Sequence, residues 1–335
     1  MSPQSLTNIL NVGRKVDPII FEAIGRETTS DFRGLLKYYF DAGGKRMRAA
    51  LVILSCASAG GRIEDALRPA AVVEMIHNYS LVMDDLIDRG RVRRGRPTLR
   101  MVAGDSASLL VAMYYREVLD EILQASLLGS KIRQIAIRAM KEIIDGERFD
   151  LLFEQAGRNE PYLVSHRYTK PSFSRYLNMI GKKTAALFKA AAEIGGELAG
   201  VAGGTVQNLG EFGWNLGLGF QIMDDVLDIC GRETGKERAK DVVEHKLGNA
   251  VILVALRYMT RGRAELLAIL KSKKVSSAMA RRAQALIATT PAETECRGIA
   301  TTYLETAKQH LRVLKQSEYK RALELLSDLV VSRQF

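Results

Sequence analysis

The chain is short of helix breakers. Of 335 residues only seven are proline, and none lies between Pro171 and Pro291. Over that span no ring fixes φ or removes a backbone donor, so helix can follow helix. Strand-like alternation between turn signals is nowhere sustained, which argues against a sandwich or barrel. Cysteine is equally scarce: Cys56, Cys230 and Cys296 lie far apart in apolar or mixed surroundings, with no Cys-x-x-Cys pair. That excludes a zinc ribbon or a disulfide framework and reads as packing thiols in a reducing compartment. The longest uncharged runs, such as Ala49–Gly61 and Phe212–Met223, fall short of the roughly 18 residues that a membrane helix needs. No signal-peptide pattern opens the chain, and a cytoplasmic location is expected.

What is abundant is charge, with Lys and Arg at 49 against 38 for Asp and Glu, a net +11 with a pI near 9.5. Such a balance admits nucleic acid, an anionic membrane surface or a polyanionic substrate as partner. Few aromatics are interleaved with the basic residues, which counts against nucleic acid.

Two hexads, Met83-Asp84-Asp85-Leu86-Ile87-Asp88 and Met223-Asp224-Asp225-Val226-Leu227-Asp228, nearly repeat each other 140 residues apart. On a helix the first and third aspartates of each sit one turn apart on one face, with the middle one beside them. Like charges so spaced destabilise a bare helix by about 0.2–0.5 kcal/mol per pair. One copy is readily a solvated acidic face. Two copies in apolar surroundings point to cations, and oxygen-only ligands favour a hard ion such as Mg²⁺, whose shell is completed by water and substrate phosphates. Facing acidic helices would hold a diphosphate between them.

Cationic segments accompany the acidic ones. Gly43-Gly44-Lys45-Arg46-Met47-Arg48 precedes a helix-forming run from Ala49 to Ala59, so an anion bound there would be favoured by both charge and helix dipole. His77 lies seven residues before Asp84, two turns up the same helix. Arg89–Thr98, with five arginines, two glycines and a proline, reads as a loop whose guanidinium groups suit phosphate. Helices are expected at Leu109–Leu128 and Ile132–Phe153 and again from Tyr176, with connections at Ala156–Ser172 and Gly231–Gly248. Clustered glycines from Gly195 to Gly204 read as close helix packing and a bend. Gly217-Leu218-Gly219 lacks the strand and third glycine of a dinucleotide site.

Together, Lys45, Arg48, His77, the first triad, Arg93-Arg94-Gly95, Lys183-Thr184, Phe220-Gln221, the second triad, Lys236, Asp241 and Lys246 resemble the trans-prenyltransferase (polyprenyl diphosphate synthase) family over residues 40–250, most like archaeal-type geranylgeranyl diphosphate synthases. The resemblance implies an all-α, single-domain bundle of the isoprenoid (terpenoid) synthase type spanning 1–335, two aspartate-rich helices facing a central cavity, and a homodimer. It implies condensation of isopentenyl diphosphate with an allylic diphosphate. Asp84, Asp85, Asp88, Asp224 and Asp228 would hold Mg²⁺, three ions once the allylic diphosphate is bound. Asp225 would complete the acidic machinery, and Arg93, Lys183 and Lys236 would meet the leaving diphosphate. Lys45, Arg48, His77 and Arg94 would take isopentenyl diphosphate, and Phe220 would line the substrate site. Thr184 and Gln221 would face the allylic cation through oxygen dipoles.

Chain length is expected to depend on Ile76, Tyr79 and Ser80, one to two turns before Asp84 on the path of the growing hydrocarbon. Ser80 leaves space and Tyr79 blocks, giving a C20 product, with farnesyl and C25 products as alternatives. A non-catalytic subunit of a prenyltransferase heteromer, a class I terpene cyclase and a nucleic-acid-binding protein are the competing readings. The second-substrate cations argue against the cyclase, and six aspartates argue against the nucleic-acid binder. Departures from the family pattern fall at Met83, Arg100 and Ala112-Met113, and at Glu147, where Gly-Gln is usual, although Asp150 is retained.

Overall fold

Helix follows helix in the computed structural model, which describes residues 11–124, 129–231 and 239–331. In chain order these are α1 (Asp17–Gly25), α2 (Ser30–Asp41), α3 (Met47–Ser58), α4 (Ile63–Ile87), α5 (Leu99–Gln124), α6 (Ser130–Leu152), α7 (Pro161–His166) and α8 (Phe173–Ile180). A π-type turn, Gly181–Ala185, leads into α9 (Ala186–Leu198) and α10 (Gly203–Cys230). Then come α11 (Lys240–Val243), α12 (Ala250–Tyr258), α13 (Arg263–Leu270), α14 (Ser277–Ile287), α15 (Ala292–His310) and α16 (Glu318–Val331). No described helix is long and apolar enough to cross a membrane.

The chain divides into two compact units. The first comprises Met1–Lys141, Leu187–Gly213 and Gln309–Leu326, the second Glu142–Ala186, Trp214–Lys308 and Ser327–Phe335. Within the first, α3 buries every residue from Ala49 to Cys56, as a helix apolar on all sides must. The long α4 packs on both α3 and α5. Glycine lets α9 approach α3 closely: a Cβ at Gly195 would lie 2.5 Å from Ser55 Cβ and 2.6 Å from the Val52 carbonyl oxygen. Gly200, at φ 66°, forms the bend between α9 and α10.

Within the second unit, side-chain caps set the helix starts. Ser172 accepts from Arg175 N–H, Asn249 from Val251 and Ile252, and Ser276 from Met279, each satisfying amides that have no partner inside the helix. Gly219 serves packing within α10, since a Cβ there would lie 2.7 Å from Leu304 Cγ. The cysteines are packing groups: Cys56 and Cys296 are buried, and burial pushes the Cys56 thiol up to about 11.

Several sequence expectations need correction. Arg89–Thr98 is more than a loop, because Val92–Arg93 (β1) and Arg96–Pro97 (β2) pair antiparallel as a minimal hairpin. Its two turn residues, Arg94 at φ 53° and Gly95 at φ 73°, have the positive φ that tight hairpins require. The connection 156–172 contains α7, and 231–248 contains α11. The helix expected from Leu109 starts at Leu99, broken at Gly104 with φ 85° and ψ 167°. Residues 125–128 and Lys236 lie outside the described residues.

Candidate active site

Each hexad occupies the C-terminal end of a long helix, α4 or α10. Carboxylates there oppose the helix dipole as well as one another, so each triad depends on what neighbouring segments bring to it.

In the first unit, the hairpin brings Arg93. Its Nε donates to Asp85 Oδ2 at 2.8 Å, and its Nη2 donates to Asp84 Oδ2 at 2.6 Å and to Asp85 Oδ1 at 2.8 Å. Burial works against the Arg93 charge, but Asp84 and Asp85 outweigh it and hold its pKa above the ordinary arginine value. Tyr39, on α2, donates its hydroxyl to Asp85 Oδ2 at 2.5 Å and accepts from Leu99 N–H at 3.3 Å. Burial, and then the Asp85 charge, push the Tyr39 pKa up, so it remains a donor. Asp85 is only 3% exposed, and both of its oxygens are committed. Asp85, expected as a metal ligand, is the buried member of the triad, while Asp84 and Asp88 are half-buried.

A cationic cluster lies in the same unit. Arg48 Nη1 lies 3.2 Å from His77 Nε2, and its guanidinium stacks over Phe188 at 4.6 Å from the ring centroid. Burial first, and then Arg48 and Arg94, push His77 well below its usual pKa, leaving a neutral imidazole. Arg94 donates to the Tyr39 and Gly43 carbonyls. Lys45 is exposed. The neighbouring Arg46 is structural, because it is buried, reaches Asp17 at 2.8 Å, and lies 3.7 Å from the buried Glu74. Ile76 is buried and Tyr79 and Ser80 half-buried on α4, where the Ser80 hydroxyl is taken by the His77 carbonyl at 2.8 Å. Arg100 spends its charge on Asp105 at 2.8 Å.

In the second unit, Asp225 repeats the anchoring. Its Oδ2 accepts from Tyr176 OH at 2.7 Å and from Ala250 N–H at 2.8 Å, and its Oδ1 accepts from Gln221 Nε2 at 3.0 Å. Thr184 donates to Gln221 Oε1 at 2.8 Å. The Gln221 amide is therefore engaged at both ends, between Thr184 and Asp225. Phe220 is half-buried beside it on α10. Asp228 receives the Lys240 and Asp241 amides at 3.0 and 3.2 Å, and burial followed by the Asp241 charge pushes its pKa up to about 8. Burial and Asp241 also raise Asp225 well above the carboxylate range. Lys183 reaches Asp150 and Glu147, each at 2.7 Å, and Lys246 reaches Asp150 at 3.0 Å. Burial alone would raise Asp150, but these two ammonium groups bring it down to about 2.

Among the described residues, no three His, Cys, Asp or Glu side chains are gathered closely enough to hold a metal by themselves. The donor set nevertheless fits Mg²⁺, which takes one or two carboxylates per ion and completes its shell with water and phosphate oxygens. Crowding that raises Asp225 and Asp228 is what a bound cation would relieve. Sequence reasoning missed Tyr39 and Tyr176, which partner aspartates 46 and 49 residues away. Their only sequence signal is a polar-tipped aromatic on an otherwise apolar helix face.

Among solved structures, the chain is similar to the polyprenyl synthase of Caulobacter crescentus CB15, solved in complex with calcium and isoprenyl diphosphate. Identity is 28%, with 99% of this chain and 98% of that chain covered at a TM-score of 0.89. Fold and site together define an all-α prenyltransferase of the isoprenoid synthase type. The geranylgeranyl diphosphate synthase of Methanosarcina mazei is 30% identical, covering 98% of this chain and 97% of its own length. The geranylfarnesyl diphosphate synthase of Aeropyrum pernix is 31% identical, covering 91% and 95%. The family profile described as polyprenyl synthetase matches residues 30–287, and the chain belongs to that family.

Proposed function

We propose that the protein is a Mg²⁺-dependent geranylgeranyl diphosphate synthase, adding isopentenyl diphosphate to an allylic diphosphate. The observation that carries this reading is the parallel build of the triads. In each, a buried tyrosine locks the middle aspartate, which leaves the outer pair, Asp84 with Asp88 or Asp224 with Asp228, as the metal ligands. Bound Mg²⁺, three ions with the allylic substrate in place, would neutralise diphosphate charge and so make it a leaving group.

Arg93 and Lys183, with Lys236, meet that diphosphate directly; Asp85 and Asp225 act as anchors, not ligands. Lys45, Arg48 and Arg94 hold the second diphosphate, which stays intact and needs fixed positive charge. His77, neutral beside Arg48, adds a hydrogen bond without competing for the anion. Thr184 turns its hydroxyl oxygen lone pairs towards the allylic cation, held in place by its bond to Gln221, and Phe220 lines the same wall. The departing diphosphate takes the proton, since no base is otherwise placed for it.

Tyr79 supplies the floor. It precedes Asp84 by five residues on α4, about 7.5 Å along the axis, with Ser80 leaving space above it and Ile76 packed behind. A homodimer is supported by the exposed apolar side chains of Met101, Val102, Leu109, Leu110 and Met113 along α5. The test is incubation with isopentenyl diphosphate, each allylic primer and Mg²⁺, with products weighed by mass spectrometry. A C20 product is expected. C15 or C25 products would move the floor, and no prenyl product from any primer would overturn the reading.

A further inference from the structure

Lys183 is over-supplied with carboxylate. Gly146 has no side chain, and a Cβ there would lie 2.6 Å from Lys183 Cα and 2.7 Å from the Lys182 carbonyl carbon, so α6 meets the π-type turn backbone to backbone. π-type turns are often found at functional positions, where they redirect side chains. Glu147 and Asp150, three apart on one face of α6, both receive the Lys183 ammonium at 2.7 Å. Lys246 shares Asp150 at 3.0 Å and meets Glu244 at 3.1 Å. Glu244 is shared in turn with Lys240 at 3.1 Å, so among the described residues the doubled carboxylate contact falls on Lys183, which meets both Glu147 and Asp150.

Asp150, pinned by Lys246, suffices to orient Lys183. Glu147 adds negative charge where an anion is to bind, at a position where the family pattern carries an uncharged glutamine. We infer that Glu147 is a positioning residue that competes with diphosphate for Lys183, weakening the hold on allylic diphosphates and hastening release of the prenyl diphosphate product. This rests on the assignment of Lys183 to the leaving diphosphate.

Glu147→Gln keeps the shape and removes the charge. With Mg²⁺ present, the variant is expected to bind inorganic diphosphate about three- to tenfold more tightly by calorimetry. Its KM for the allylic substrate should fall by the same factor, with the KM for isopentenyl diphosphate and the Tm unchanged, and Glu147→Asp should behave as wild type. Unchanged diphosphate affinity in a folded Glu147→Gln protein overturns the inference. If Lys183→Ala leaves diphosphate affinity unchanged, it is the underlying assignment of Lys183 that fails.

A second inference comes from a different face. α13 and α14 form an antiparallel pair, with Arg282 on Glu265 at 2.7 Å and a Cβ at Gly262 falling 2.7 Å from Leu286. Between Arg257 and Arg282 the sequence has eight cationic side chains and one acidic, a net +7 of the chain's +11. Leu266, Ile269, Leu270, Ala283, Leu286 and Ile287 are buried. Arg261, Lys271, Lys273, Lys274 and Arg281 are exposed, and among the described residues none of them enters an ion pair. The diphosphate site leaves this charge unexplained.

We propose that the α13–α14 pair docks electrostatically on an anionic phospholipid surface, where an amphiphilic prenyl diphosphate partitions. Basic clusters are drawn to such surfaces without spanning them. Tyr258 is the only aromatic in the span, and single-stranded nucleic acid calls for stacking platforms. At about 0.1 M salt, where screening sets in near 10 Å, wild type should sediment with vesicles of phosphatidylcholine mixed with phosphatidylglycerol and not with phosphatidylcholine alone. Combined Lys271→Glu, Lys273→Glu and Lys274→Glu should lower that binding at least about tenfold with prenyl transfer in solution unchanged. Equal binding by the variant, or displacement of wild type from the vesicles by duplex DNA, overturns the proposal.

Discussion

The two acidic half-sites share a plan and differ in charge. Tyr39 holds Asp85 and Tyr176 holds Asp225, each from a helix earlier in the chain. In the first, Arg93 adds a full positive charge across Asp84 and Asp85. In the second, the donors to Asp225 are neutral, namely a tyrosine hydroxyl, the Gln221 amide and the Ala250 N–H. Among the described residues, Lys240 reaches Glu244, and Lys246 reaches Asp150 and Glu244. A duplicated motif thus fixes geometry, while the segments around it set the charge at the middle aspartate: a guanidinium at Asp85 and neutral donors at Asp225.

The harshest way to break the comparison is to remove a proposed metal ligand from either side. Asp84→Ala and Asp224→Ala are each expected to lower kcat/KM at least about a thousandfold, roughly 4 kcal/mol of transition-state stabilisation, with far-UV circular dichroism unchanged; near-normal turnover in either would remove that triad from the metal site. The anchors should then separate in urea unfolding. Asp85→Asn leaves the half-buried Arg93 short of charge at a buried partner and should cost about 2–4 kcal/mol. Asp225→Asn replaces a carboxyl already pushed towards its neutral form and should cost about 1 kcal/mol or less; equal costs would mean that the half-sites carry the same charge.

A smaller effect is expected on pH. The Asp228 pKa is raised to about 8 when folded, so the stability it contributes is fully present below the ordinary carboxylate value, near pH 4. That stability is lost as pH rises through about 8, because the unfolded chain gives up a proton that the folded chain keeps. The metal-free Tm should fall across this range, and Asp228→Asn should flatten the fall. Tyr79→Ala, the mildest change, should lengthen products with little effect on rate; an unchanged distribution places the floor elsewhere.

Much of this was legible in the sequence. Spacing of the aspartates and helical periodicity are local properties, and α4 and α10 carry the hexads where both predicted them. Contacts across 46 and 49 residues leave no local trace, so nothing in the sequence pairs Tyr39 or Tyr176 with its aspartate. For the same reason the burial of Asp85 is not marked in the sequence. Two-residue strands such as Val92–Arg93 are too short for any period to register. Glu147 stood out as a substitution, but its 2.7 Å contact with Lys183 depends on how Gly146 seats α6 on the π-type turn.

The charge difference is tested most directly by thermal unfolding near pH 8 with Mg²⁺ alone, without diphosphate. Binding to the folded state must raise Tm by mass action. The account predicts a rise in wild type that persists in the double variant Asp84→Asn, Asp88→Asn and vanishes in Asp224→Asn, Asp228→Asn. A rise that survives loss of the second pair and disappears with the first would contradict it.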